Sequence, residues 1–295
     1  MSTPTNASPV ETTIAPREQS LMGLPIRRLL PWRGQRHCGP FVFLDHMGPH
    51  TLAPGDGLDV PPHPHIGLST LTWLFSGELE HRDSLGSVQT IRPGEVNWMT
   101  AGRGIVHSER SPDGERASEA SIEGLQFWVA QPQHTETGEP RFEHYSSDEL
   151  PAWQSDSAAW VLVAGQWREH QSPVQTDSEL TLLDVRTTDA GSLELTDLDA
   201  DWEWGIYPLA GSLHWQEVEL ALRHLGVTNQ PARLRWEAGS HFVLFGGKTL
   251  GERRIDWNFV ASDDALIRQA REDWQAHNFP AVPGDKGYVP YPGSN

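Results

Sequence analysis

The sequence predicts an all-β fold, two β-barrels in tandem followed by a short C-terminal helix. Three observations predict it. Short β-branched or aromatic runs flanked by Gly and Pro recur along most of the 295 residues. A polar stretch, "EHYSSDELPAWQSDS", separates them into two sets of similar spacing. Near the end, the apolar spacing becomes helical.

Residues 1–20, "MSTPTNASPVETTIAPREQS", are polar and rich in Ser, Thr and Pro. They lack the basic and apolar regions of a signal peptide and are expected to be a disordered tail. Residues 21–145 hold "FVFLDHM", "LSTLTWLF" and "GLQFWVA", and Pro93-Gly94 sets a turn before the short strand in "RPGEVNWM". This is the first barrel. Residues 146–260 hold "AAWVLVAGQW", "SELTLLDVRT", "WEWGIYPLAGSLHW" and "HFVLFGG", which make the second. In residues 261–295, Ser262 can cap a helix with Asp263 and Asp264 at its positive end. Ala265, Leu266, Ala270 and Trp274 follow helical spacing, and Pro280 stops it. The remaining "AVPGDKGYVPYPGSN" is expected to be extended or loose.

Composition narrows the function classes. The net charge of -18 disfavours direct binding to nucleic-acid phosphates. The mean hydropathy is -0.50, and no apolar run approaches the roughly 18 to 20 residues that span a bilayer. The single cysteine, Cys38, allows no intrachain disulfide, which fits a cytoplasmic location. Its expected role is that of a small buried residue. The chain is expected to act as a monomer.

The histidines carry the chemistry. His63 and His65 stand one residue apart, so on an extended segment their side chains leave the same face. His107 and Glu109 repeat that spacing after a Gly-rich approach through Gly102 and Gly104. If barrel closure brings the pairs together, three imidazoles and one carboxylate surround one divalent ion. The set suits first-row metals. A closed tetrahedral zinc site is one outcome. A site with vacant positions could bind O2 or substrate, which makes Fe(II) the first choice, ahead of Zn, Ni, Cu or Mn.

These stretches resemble the pirin family of the cupin superfamily. The likeness rests on "GPFVFLDHMGP", "HPHIG", "HRDSLG", "RPGEVNWMTAGRGIVHSE", "GLQFWVA" and "WNFVASDDALIRQAREDW", in family order along nearly the whole chain. The resemblance implies a bicupin with metal in the first barrel only, held by His63, His65, His107 and Glu109. It implies iron, and for some members quercetin 2,3-dioxygenase activity, which opens a flavonol ring with O2 and releases carbon monoxide. Other members are transcriptional co-regulators or partners of metabolic enzymes. One position departs: many pirins carry Glu where this chain has Ser69, which puts any proton-transfer role at that position in doubt.

Three functions follow. In the first, a flavonol-like aromatic and O2 react at the metal, with Glu109 as ligand or base and Phe43, His46, Met47 and Trp98 as candidate pocket residues. In the second, the protein is a metal- or redox-dependent regulator that binds a protein partner. In the third, it is a small-molecule binding module with an inert zinc. Aligning Gly211 on Gly77 and Gly239 on Gly94 puts Asp197, Asp199, Glu252 and Arg254 where the first barrel has its four candidates. That argues for a second barrel without metal, with His214 and His241 structural or exposed.

Overall fold

The computed structural model describes residues 12–195 and 201–293. The candidates Asp197 and Asp199 lie outside these residues, as does the tail up to residue 11. The chain forms two compact units, one of residues 17–31, 40–149 and 250–295, the other of residues 1–16, 32–39 and 150–249. Each is built from antiparallel strands, as expected.

In the unit that carries the histidines, a large sheet runs Arg141–Tyr145, Val96–Thr100, Leu68–Ser76, Ala120–Ala130, Phe41–Leu52, Leu24–Leu30 and Arg17–Leu21. A smaller sheet runs Asp59–His65, Ile105–Arg110, Leu79–Asp83 and Val88–Ile91. Alternation along the strands sends Ile26, Met47, Leu74 and Ile122 from the large sheet against Val60, Leu79 and Ile91 from the small one. That shared core holds the two sheets face to face.

The other unit repeats the plan. Its small sheet is Gly191–Leu195, Ala232–Trp236, Leu213–Trp215 and Val218–Glu219. Trp160, Trp204, Trp215 and Trp236 fill its interior beside Leu, Ile and Phe side chains. His241 pairs with the buried Asp184 at 2.8 Å, a structural role. Cys38 is fully buried, and burial, reinforced by Glu203, pushes its thiol up.

Both chain ends differ from expectation. Over residues 12–21 the tail is not disordered. Thr12–Ile14 pairs with Leu225–Thr228, and Arg17–Leu21 forms a hairpin with Leu24–Leu30. Strand pairing with a distant partner overrides the weak local propensity. Glu252 and Arg254 do not belong to the second barrel, whose last strand is His241–Lys248 and whose unit ends at Thr249. They pair with each other on the surface of the histidine-bearing unit. The positions matched to His107 and Glu109 therefore lie beyond the end of the second barrel.

The C-terminal helix is Asp264–Gln275. Its cap is Asp263, whose carboxylate accepts from Ala265 N at 2.7 Å; Ser262 instead donates its hydroxyl to Glu136. Ile267, Ala270 and Trp274 face inward. The segment after the helix is tied down rather than loose. Asp285 takes two hydrogen bonds from Arg110, at 2.8 and 3.1 Å, and Val289 N donates to Pro62 O at 3.0 Å.

Candidate metal centre

Strand pairing assembles the site on the small sheet. His63 stands directly across from His107, which stands across from Asp83 on its other side. Glu109 stands across from His81. Three pairs at i and i+2 (His63 and His65, His81 and Asp83, His107 and Glu109) therefore lie on three adjacent strands. Period-two alternation points each pair inward. Only the first and last pairs were selected from sequence. The middle pair, His81 and Asp83, has the same signature, and only the strand beside it gives it a role.

His63, His65 and His107 each offer a ring nitrogen, and these atoms lie within 4.8 Å of one another. Among the described residues this is the only such group of three metal-capable side chains. All three residues are buried. Glu109 is not within that group, but it lines the same cavity. Thr72 Oγ1 donates to Gln126 Oε1 at 2.9 Å or to Glu109 Oε1 at 3.3 Å.

The hydrogen bonds around the rings decide whether a metal fits. His63 Nδ1 donates to Pro61 O at 2.9 Å, and His65 Nδ1 donates to Asn258 O at 3.1 Å. A carbonyl can only accept, so the proton of each neutral ring sits on Nδ1 and Nε2 keeps its lone pair. His65 Nε2 and His107 Nε2 are 3.1 Å apart. Burial pushes His63 down to about 4 and holds His65 and His107 well below the ordinary imidazole range, so the rings are neutral at pH 7. Converging neutral imidazoles with outward-facing N–H groups are the donor set of a divalent first-row metal. Burial pushes the Glu109 carboxyl up, against the opposing pull of His81 and the Thr72 hydroxyl.

These directions fix a pH dependence for the metal-free chain. Folded His63 binds its proton only near pH 4, whereas the unfolded residue binds near 6.5. Between those values the unfolded state holds more protons, so stability falls as the pH falls, by roughly 3 kcal/mol for His63 alone. His65 and His107 act with the same sign, and the raised Glu109 offsets part of the loss. Urea unfolding of chelator-treated protein at pH 7 and pH 5 measures it. Equal stability at the two values would contradict neutral buried rings.

The cluster opens into a cavity of about 380 Å³. Phe43 and Trp128 stack in its wall at 4.0 Å with planes 13° apart. Arg28 lies 4.5 Å over Phe43 and holds the buried Asp45 through two 2.8 Å hydrogen bonds. Ile255, Trp257 and Asn258, from beyond the second barrel, complete the lining. Of the expected pocket residues, Phe43 and Met47 line this cavity and His46 and Trp98 do not. His46 projects from the opposite face of its strand, where it hydrogen-bonds Glu123 at 3.1 Å. Trp98 is buried and donates to Thr100 Oγ1 at 3.1 Å. Ser69 is buried beside that threonine, with its hydroxyl 3.1 Å from Thr100 Oγ1.

The chain is similar to known proteins over most of its length. The family model described as Pirin matches residues 23–129, and that of the pirin C-terminal cupin domain matches residues 182–280. A pirin-like protein of Caulobacter vibrioides is 40% identical over 286 residues, covering 94% of this chain and 97% of the relative. A Pseudomonas aeruginosa protein provisionally named a quercetin 2,3-dioxygenase is 42% identical over 259 residues, covering 86% of this chain and 79% of the relative. The crystal structure of a quercetin 2,3-dioxygenase from Acinetobacter baumannii superposes with a TM-score of 0.87 at 36% identity, covering 96% of this chain and 95% of that one. No helix among the described residues is long and apolar enough to cross a membrane.

Proposed function

This chain belongs to the pirin family of cupins, and on that premise we propose that it is a dioxygenase of the quercetin 2,3-dioxygenase type acting on flavonol-like aromatics. One observation carries the reading. The three neutral imidazoles open into an aromatic-walled cavity of about 380 Å³ that Glu109 also lines. A purely structural metal site is closed on all sides by protein ligands.

His63, His65 and His107 hold the ion, with Glu109 as fourth ligand or as base. Fe(II) is the first choice among divalent metals. It supplies Lewis-acid and one-electron chemistry for O2 beside a bound enol. The protein residues supply the rest. Trp128, backed by the stacked Phe43, offers a flat wall for an aromatic ring. Arg28 and Asp45 neutralise each other and hold Phe43 in place. As base, Glu109 takes the substrate hydroxyl proton, with Thr72 donating to its carboxylate.

The test is oxygen uptake by Fe(II)-loaded protein given quercetin, with Glu109→Gln beside it. Uptake is expected in the wild type. In the variant it falls by about 100-fold or more, the range for loss of a general base. No uptake with bound iron confirmed would turn the reading towards a metal-dependent binding protein.

A further inference from the structure

His81 and Asp83 lie on the strand beside His107 and form no part of the metal-holding set proposed above. Both are buried, Asp83 completely. The strand Leu79–Asp83 ends in a tight turn, where Asp83 Oδ1 accepts from Leu85 N at 2.9 Å and from Ser87 N at 3.0 Å. Its other oxygen, Oδ2, is 3.1 Å from His81 Nε2. His81 Nδ1 in turn is 3.3 Å from His107 Nδ1. Phe142 stacks on the His81 ring at 4.3 Å with planes 14° apart, which restricts its rotation.

We propose that Asp83, acting through His81, is the positioning device that fixes the ring orientation and tautomer of His107. The direction follows atom by atom. Burial alone would raise the Asp83 carboxyl, but His81 and Ser87 hold it below its ordinary value, so it is a carboxylate and can only accept. The acceptor-only Asp83 therefore takes the Nε2 proton of His81, which leaves His81 Nδ1 facing His107 as the acceptor. His107 must then donate from Nδ1. Its Nε2 keeps the lone pair that faces His65. His63 and His65 reach the same state through backbone carbonyls; His107 reaches it through a side-chain relay.

The inference rests on reading the triad as a metal centre, and the experiment separates the two. Zn(II) affinity is measured by chelator competition, and ¹⁵N-histidine spectra of metal-free protein report which ring nitrogen carries the proton. In Asp83→Asn, the amide oxygen takes the Oδ1 position that faces two backbone N–H groups. The amide NH2 then faces His81 Nε2. The relay reverses, and the His107 proton moves from Nδ1 to Nε2. Zn(II) affinity falls by about 10- to 100-fold, as for other supports of metal-bound histidines. His81→Asn keeps an oxygen where Nδ1 stood and retains affinity within about 3-fold, while His81→Phe loses as much as Asp83→Asn. A merely structural role would make the Asn and Phe variants equally damaging, and that result would overturn the proposal. An unchanged His107 tautomer in Asp83→Asn would also overturn it. If Asp83→Asn does not fold, the two His81 variants decide. A tautomer reversal in Asp83→Asn, alongside a wild type that does not bind Zn(II), supports the relay and overturns only the metal reading.

Discussion

His107→Ala is expected to abolish metal binding at the proposed centre. The expected loss of affinity exceeds about 100-fold, because 10- to 100-fold is the cost of removing a residue that only supports a ligand. His107 is the central residue of the cluster, directly across from His63 and 3.1 Å from His65 Nε2. Stability reports the same event independently of activity. With free metal at about 1,000 times Kd, wild-type protein gains about 4 kcal/mol over its metal-free form. The variant loses that gain. Its metal-free form also loses packing and the contact with buried His81, so the shift on adding metal is the readout. Thermal unfolding with and without metal measures it. A variant that keeps the metal-dependent shift would remove His107 from the centre.

Gly67→Ala is expected to destabilise the histidine-bearing unit by more than about 3 kcal/mol. Gly67 has φ +65°, and a β-carbon there would fall on the carbonyl oxygen of Val260. The neighbouring backbone has little room to yield. Gly67 N donates to Gly102 O and Gly67 O accepts from Gln131 N, each at 2.9 Å. Val260 N donates to Ile66 O at 3.2 Å. Pushing Val260 away also moves Asn258, whose carbonyl holds the His65 Nδ1 proton. Metal affinity therefore falls together with stability. Gly55→Ala is the control, with φ +92° and nothing within 4 Å of the added carbon. It carries backbone strain alone, about 1–2 kcal/mol. Urea unfolding of the two variants compares them. Equal losses would mean that strain, and not the close approach to Val260, sets the cost.

The all-β class, the tandem repeat and the inward histidine pairs are legible along the chain before any fold is known. Each of these is a local property. Period-two alternation needs only neighbouring residues, so His63-x-His65 and His107-x-Glu109 could be read as one-face pairs before any partner strand was known. His81-x-Asp83 was equally local, but its meaning depended on which strand lay beside it. Tertiary structure alone decided the remainder. Nothing in the sequence marks the carbonyls of Pro61 and Asn258, because every residue carries one. Nor could local spacing show that Ser262 would give its hydroxyl to Glu136 and leave Asp263 to cap the helix. Thr12–Ile14 became a strand only because Leu225–Thr228 offers it an edge. Trp257 and Val289 reached the first barrel's cavity only because the chain returns to that barrel after building the second. Side-chain chemistry is written along the chain, whereas hydrogen-bond partners and cavity walls are set by distances that exist only once the chain has folded.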